Sequence, residues 1–168
     1  MSQKEKFKTL PILEGHDCFA CGQMNHAGLQ MKFFTDETSV FSKVKIPGHF
    51  RGWNELVHGG IVSAILDEIM GWSAIYLLKK VVLTKSITID FLKPVFIDTE
   101  LKAEGKVLKI VSEREAIIEG IIYNQDGKMC TRSEGTFSLL TPEVGIRLKV
   151  VDEKALKDLQ PLLADDGQ

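Results

Sequence analysis

The chain has no excess of charge of either sign: 21 Lys and Arg stand against 23 Asp and Glu, a formal net charge of -2. No basic stripe emerges from that balance, so no nucleic-acid partner is expected. Cysteine is scarce. Three residues, an odd number, with no export signal beside them point to reduced thiols and no disulfide framework. The stretch 1–10 alternates Lys, Glu and Gln with isolated apolar side chains and lacks the apolar run of a signal peptide, so a cytoplasmic protein is expected. Internal repeats and low-complexity segments are absent as well. What is present is an ordinary globular composition, 44% apolar over 168 residues, which fits one domain.

One segment stands out from this even background. LVHGGIVSAILDEIMGW, residues 56–72, is nearly all apolar yet carries the acidic pair Asp67-Glu68 near its middle. Residues 57–78 are about long enough to cross a bilayer. Two adjacent acids at the midpoint would each cost roughly 2.5 to 3.5 kcal/mol to insert. The segment therefore reads as a helix wrapped by protein, and no membrane association is expected. Burying a carboxylate in such a helix is costly, so Asp67 and Glu68 are the first candidates for chemistry.

Around this helix the pattern is β-type. Residues 28–34 and 40–46 alternate as two strands separated by the polar turn 35–38, and Pro47-Gly48 opens a loop through Gly52, Trp53, Asn54 and Glu55. After the helix come four β-branched, alternating runs at 81–91, 100–110, 115–123 and 128–140. Asp126-Gly127 between the last two is the strongest hairpin signal, because glycine supplies the positive φ of a tight turn. Two strands, one long apolar helix and four more strands make an α+β pattern, not βαβ. Short connections among the last four predict an antiparallel meander with the helix covering one face. The chain divides into an N-terminal segment with a Cys-x-x-Cys capping loop (1–27), the main domain (28–140) and a C-terminal extension (141–168). Within the extension, 153–163 is amphipathic and predicts a terminal helix.

His58-Gly59-Gly60 followed by Leu66-Asp67-Glu68 resembles the His-Gly-Gly…Leu-Asp pattern of hotdog-fold acyl-CoA thioesterases of the phenylacetyl-CoA thioesterase (PaaI-like) type, with the acid nine positions after the histidine. The resemblance extends forward through Thr84 to Pro94, and back to Cys18-Phe-Ala-Cys-Gly22 and Gly28-Leu29. It implies a hotdog fold, in which an antiparallel sheet of about six strands wraps one long central helix. It also implies a homodimer, doubled into a homotetramer in some members. The activity implied is hydrolysis of an acyl-CoA to a free acid and CoA, with no cofactor beyond the CoA of the substrate, and no metal.

The same resemblance assigns roles, and physical chemistry supports them. Gly59 and Gly60 stand where the helix begins; the first backbone N–H groups there lack internal partners and carry partial positive charge. The Gly59 amide is the expected oxyanion donor, with Gly60 beside the substrate. Asp67 is the expected general base or nucleophile, and Thr84 stands where relatives place a hydroxyl that orients the acid. His58 is an ordinary helix-start residue or positions the site. Some relatives carry an Asn six residues before the histidine; here that place is Gly52, and Asn54 is the nearby polar candidate for the substrate. Glu68 points about 100° away from Asp67, which favours a structural or pairing duty over substrate contact.

Gly59 and Asp67 lie about 12 Å apart along one helix axis, so one thioester carbonyl cannot touch both. Two helices packed antiparallel across a two-fold axis bring Gly59 of one subunit beside Asp67 of the other. Gly60, Ala64, Asp67, Gly71 and Ala74, spaced by three and four, form a small-residue stripe suited to that approach.

His16, Cys18, Cys21 and His26 have the donor types and number of a tetrahedral zinc site. The expected activity needs no metal, however, and the short span is not a familiar zinc module, so a capping loop is the preferred reading. Cys130, within a strand pattern, reads as core. Trp53, Met70, Trp72 and Phe91 are either acyl-pocket or core residues. Two other functions share the fold. A hydratase or dehydratase would need an Asp-x-x-x-x-His spacing that is missing, and a non-catalytic acyl-CoA-binding protein usually carries a DNA-binding segment.

Overall fold

The computed structural model describes residues 7–164, so most of the stretch 1–10 lies outside the described residues. Its elements are β1 (Lys8–Thr9), β2 (Phe33–Thr35), β3 (Val40–Lys45), α1 (Gly59–Leu78), β4 (Val81–Phe91), β5 (Glu100–Ser112), β6 (Glu115–Tyr123), β7 (Met129–Leu140), α2 (Pro142–Arg147) and α3 (Glu153–Leu163). The strands form one antiparallel sheet in the order β1-β2-β3-β5-β6-β7-β4, with α1 packed along it: the hotdog architecture.

Three expectations need correction. Among the described residues the sheet has seven strands, not about six, because Lys8–Thr9 pairs with β2. The first long strand shrinks to Phe33–Thr35: upstream of it, the Leu29 and Met31 amides bond the Phe19 and Ala20 carbonyls, and Gln30 has φ +49°, so the Cys-x-x-Cys loop takes the place of a strand neighbour. The meander holds for β5, β6 and β7 only, while β4 lies beside β7 at the far edge. Its connection to β5 explains this. The Val57 amide bonds the Val95 carbonyl and the Ile97 amide bonds the Glu55 carbonyl, so the chain after β4 follows the loop that leads into α1 and reaches β5 on the other flank.

α1 begins at an N-cap, His58, whose ring Nδ1 accepts the Gly60 N–H at 2.9 Å, and ends where Lys79 turns left-handed at φ +55°. By length and composition α1 could cross a membrane, but one face of it packs on the sheet. Val62, Ile65, Leu66, Ile69, Met70, Ser73 and Tyr76, at spacings of three and four, are buried there. The helix is therefore wrapped on one side only; Gly59 and Gly60 are exposed, and Ile61, Ser63, Ala64, Asp67 and Gly71 are half-buried.

Glycines in the sheet allow the helix to come close. A Cβ on Gly105 of β5 would lie 2.3 Å from Ser73 Oγ and 2.7 Å from the Ile69 carbonyl oxygen. Its cross-strand partner Gly120 of β6 would meet Ser133 Oγ at 2.9 Å and Met70 Cγ at 3.0 Å. The two make a trough that seats the middle of α1. Chain ends then close the core: Leu10, Leu13 and Ala20 from one side and Leu159 and Leu162 of α3 from the other are buried in the same cluster.

Two stability measurements check this account. Gly105→Ala forces the Ile69 backbone outward and should cost about 2 kcal/mol, the scale of overpacking a tight core, read as a lowered urea midpoint. His58→Ala removes the cap acceptor and should cost about 1 kcal/mol, whereas His58→Asn, which offers another acceptor, should keep most of it.

Candidate functional site

Asp67 is half-buried on the uncovered side of α1, and its Oδ1 accepts the Thr84 hydroxyl at 2.7 Å. A β-bulge sets up this contact. β4 slips register against β7 between Thr84 and Ser86, leaving Lys85 as an extra residue. Side chains alternate along a strand, so the extra residue lets Thr84 share the helix-facing side with Ile87 and Ile89, which pack on the core. Ser86, Thr88 and Asp90 point the other way, into a polar recess with Arg132 and Glu134.

Two turns of helix earlier, Gly59 opens α1. Among the described residues its backbone N–H has no hydrogen-bond partner: His58 takes the Gly60 N–H, and the His58 carbonyl takes those of Ile61 and Val62. Gly59 and His58 line an open cavity of about 640 Å³ with Arg51, Gly52, Trp53 and Phe91. A Cβ added to Gly59 would touch only the Phe91 ring, at 3.9 Å. Asn54 is exposed at φ +46° and lies outside this lining.

Glu68 faces elsewhere. It accepts the Trp72 indole N–H at 2.9 Å and lies beside Cys18 and Cys21. Burial first, then the neighbouring Cys18 thiolate, raises its carboxyl to about 7. Cys18 is the opposite case: the Cys21 thiol donating to it, with the amides of Ala20, Cys21 and Gly22, outweighs burial and brings it down to about 5. Its partnership with Cys18, then burial, pushes the Cys21 thiol up. Asp67, Glu68, Cys18, Cys21, His16, Thr84 and Leu159 all line a second cavity of about 240 Å³. His16 also lies 3.5 Å from Asp158 of α3.

The structure thus joins Asp67 to Thr84, and His58 to Gly60 beside Gly59, but holds these two groups apart within one chain. Ala74 leaves the small-residue stripe: it is fully buried, while Gly60, Ala64, Asp67 and Gly71 are not. Sequence reading overlooked Glu68 as a partner of the cysteine loop. The available signal was Gly22 after Cys-x-x-Cys, since a Cβ there would lie 2.4 Å from the Cys18 nitrogen, which marks a tight turn.

Comparison with known proteins bears on the fold. Residues 54–131 match the family model described as the thioesterase superfamily. No curated protein matches the chain. Among solved structures, a thioesterase superfamily protein designated RHA08564 is 24% identical with a TM-score of 0.67, the overlap covering 73% of this chain and 60% of that one. The chain thus spans only 60% of that relative's length. The Escherichia coli PaaI protein from the phenylacetic acid degradation operon is 20% identical with a TM-score of 0.61, over 67% of this chain and 80% of the other. A hypothetical thioesterase from Streptococcus pneumoniae TIGR4, solved with coenzyme A, is 20% identical with a TM-score of 0.58, over 62% and 80%. At these identities the solved structures speak for the hotdog fold alone, and residues 54–131 are what the chain shares with the thioesterase superfamily model.

Proposed function

We propose that the protein is an acyl-CoA thioesterase that hydrolyses a thioester to a free acid and CoA in sites shared between two subunits. The observation that carries this reading is the pairing of an unpartnered Gly59 amide with an oriented Asp67 carboxylate on the same uncovered side of α1. Each is half of a hydrolytic site, and the helix keeps them about 12 Å apart.

A second subunit closes that distance. Among the described residues β4 is an 11-residue edge strand paired on one side only, and Leu83 and Phe91 on it are 43% and 56% exposed. Long unprotected edges of this kind are normally covered. Pairing β4 with its two-fold mate sets the uncovered faces of both α1 helices side by side and antiparallel. Gly59 then meets Asp67 of the partner subunit, twice per dimer.

In such a site the thioester carbonyl oxygen accepts the Gly59 N–H, whose helix-end charge stabilises the oxyanion as it forms. Asp67, held by the Thr84 hydroxyl, takes a proton from water as water attacks the carbonyl carbon, or attacks it directly to give an anhydride that water then opens. The thiolate of CoA leaves in either case. Arg51 and Lys93, at the rim of the cavity beside Gly59, meet the phosphates of CoA. The acid-orienting and oxyanion-binding groups need no cofactor. The reading is of a cytoplasmic enzyme.

Release of free CoA from a panel of acyl-CoAs, followed with a thiol reagent, tests the activity; binding without release would make the protein an acyl-CoA carrier or sensor. Asp67→Asn should lower turnover at least about a hundredfold, the scale of losing a general base, with Thr84→Ala costing less.

The shared site has its own test. Proline is tolerated at the first helical position and has no N–H, and His58 already has the extended ψ of 136° that a following proline requires. Gly59→Pro should therefore fold as a dimer by sedimentation yet lose turnover about a hundredfold or more. Mixing unfolded Gly59→Pro and Asp67→Asn chains and refolding them together should restore activity, because a mixed dimer contains one intact site. No recovery on mixing would rule out a site built from two subunits.

A further inference from the structure

The cysteine loop and Glu68 form a cluster that thioester hydrolysis leaves unused. One donor atom from each of Cys18, Cys21 and Glu68 lies within 4.8 Å of the other two, and all three residues are half-buried. They come from separate parts of the chain, the N-terminal segment and the middle of α1. Among the described residues Glu68 is in no ion pair, and its hydrogen-bond donor is the neutral Trp72 indole. Three acidic groups thus share one low-dielectric site with no positive charge among their main partners, an arrangement that a divalent cation would neutralise.

The loop itself is shaped to present sulfur. The Gly22 N–H bonds the Cys18 carbonyl at 2.9 Å, and a Cβ on Gly22 would lie 2.4 Å from the Cys18 nitrogen and 2.6 Å from its oxygen, so only glycine closes this turn. The closed turn brings the Cys18 and Cys21 sulfurs to one side of the loop, within reach of Glu68. Cys-x-x-Cys is also the ligand spacing of structural zinc sites. On the helix side, the Trp72 indole fixes Glu68 by one carboxylate oxygen, Oε1. Two sulfurs and one oxygen suit zinc over magnesium or calcium, which prefer oxygen throughout.

We propose that Cys18, Cys21 and Glu68 bind one zinc ion per chain, fastening the N-terminal segment to α1, with water in the fourth position on the side of the 240 Å³ cavity. This departs from the expectation of a metal-free protein and is independent of the hydrolase reading. Metal binding of this type adds directly to folding stability.

Cobalt(II) serves as the probe. Reduced full-length protein titrated with Co²⁺ should take up one equivalent, with a thiolate-to-metal charge-transfer band in the near ultraviolet and tetrahedral bands in the visible, all bleached by Zn²⁺. Cys18→Ser and Cys21→Ser should each abolish the charge-transfer band or halve it with loss of tight binding. Glu68→Gln should weaken Zn²⁺ binding at least about tenfold. Should a variant fold poorly, the wild type decides: saturating Zn²⁺ should protect Cys18 and Cys21 from alkylation, read peptide by peptide, and raise the Tm. No charge-transfer band in the reduced wild type, uptake that survives both cysteine substitutions, or unchanged alkylation of the two thiols would each overturn the site. None of these readouts involves acyl-CoA turnover, so their failure leaves the hydrolase reading untouched.

Discussion

The backbone of α1 lies directly on the glycines of β5 and β6, and that close approach governs the rest of the molecule. With Gly105 and Gly120 offering no side chain, Ile69, Met70 and Ser73 sink into the sheet. A helix seated so deeply buries one face completely and leaves the opposite one only partly covered. The uncovered strip is where Gly59, Ala64, Asp67 and Gly71 lie, and it adjoins the unpaired edge of β4. Packing therefore decides which polar groups of an almost wholly apolar helix remain available for chemistry.

The same seating separates two adjacent acids. Asp67 and Glu68 differ by about 100° around the helix, enough to give them unrelated surroundings. One meets a strand hydroxyl and remains half-open. The other meets an indole and two thiols under the N-terminal loop. Burial and a neighbouring thiolate raise the second, whereas the first has a single hydroxyl donor to orient it. Two carboxylates next to each other in sequence thus occupy different environments, as the division of labour proposed for them requires.

Much of this was legible beforehand. The apolar run with an acid at its centre marked α1, β-branched alternation marked β4 to β7, and the amphipathic stretch 153–163 is helix α3. What escaped were features decided by long-range pairing. Alternation located β4 but could not tell which strand it joins, since that depends on the path of residues 92–99 against the loop before α1. The bulge at Lys85 has no signature in a run of β-formers, yet it helps set the side of the sheet that Thr84 faces. The 28–34 run has strand-like composition, but its amides were claimed by the Phe19 and Ala20 carbonyls, a competition invisible without the fold. The convergence of Glu68 with Cys18 and Cys21 likewise joins segments that no local pattern connects.

Both described ends of the chain wall the cavity beneath Asp67: Leu13 and His16 from the start, Leu159 from the last helix. His16 also touches Asp158 of α3, at 3.5 Å. A chamber bounded in this way draws part of its wall from peripheral segments, while α1 and β4 contribute Asp67 and Thr84. Changing the bulk at position 159, or the docking angle of α3, would resize the chamber without disturbing the bond between Thr84 and Asp67. The dimensions of this space and the geometry of the Thr84–Asp67 pair are thereby set by different stretches of the polypeptide.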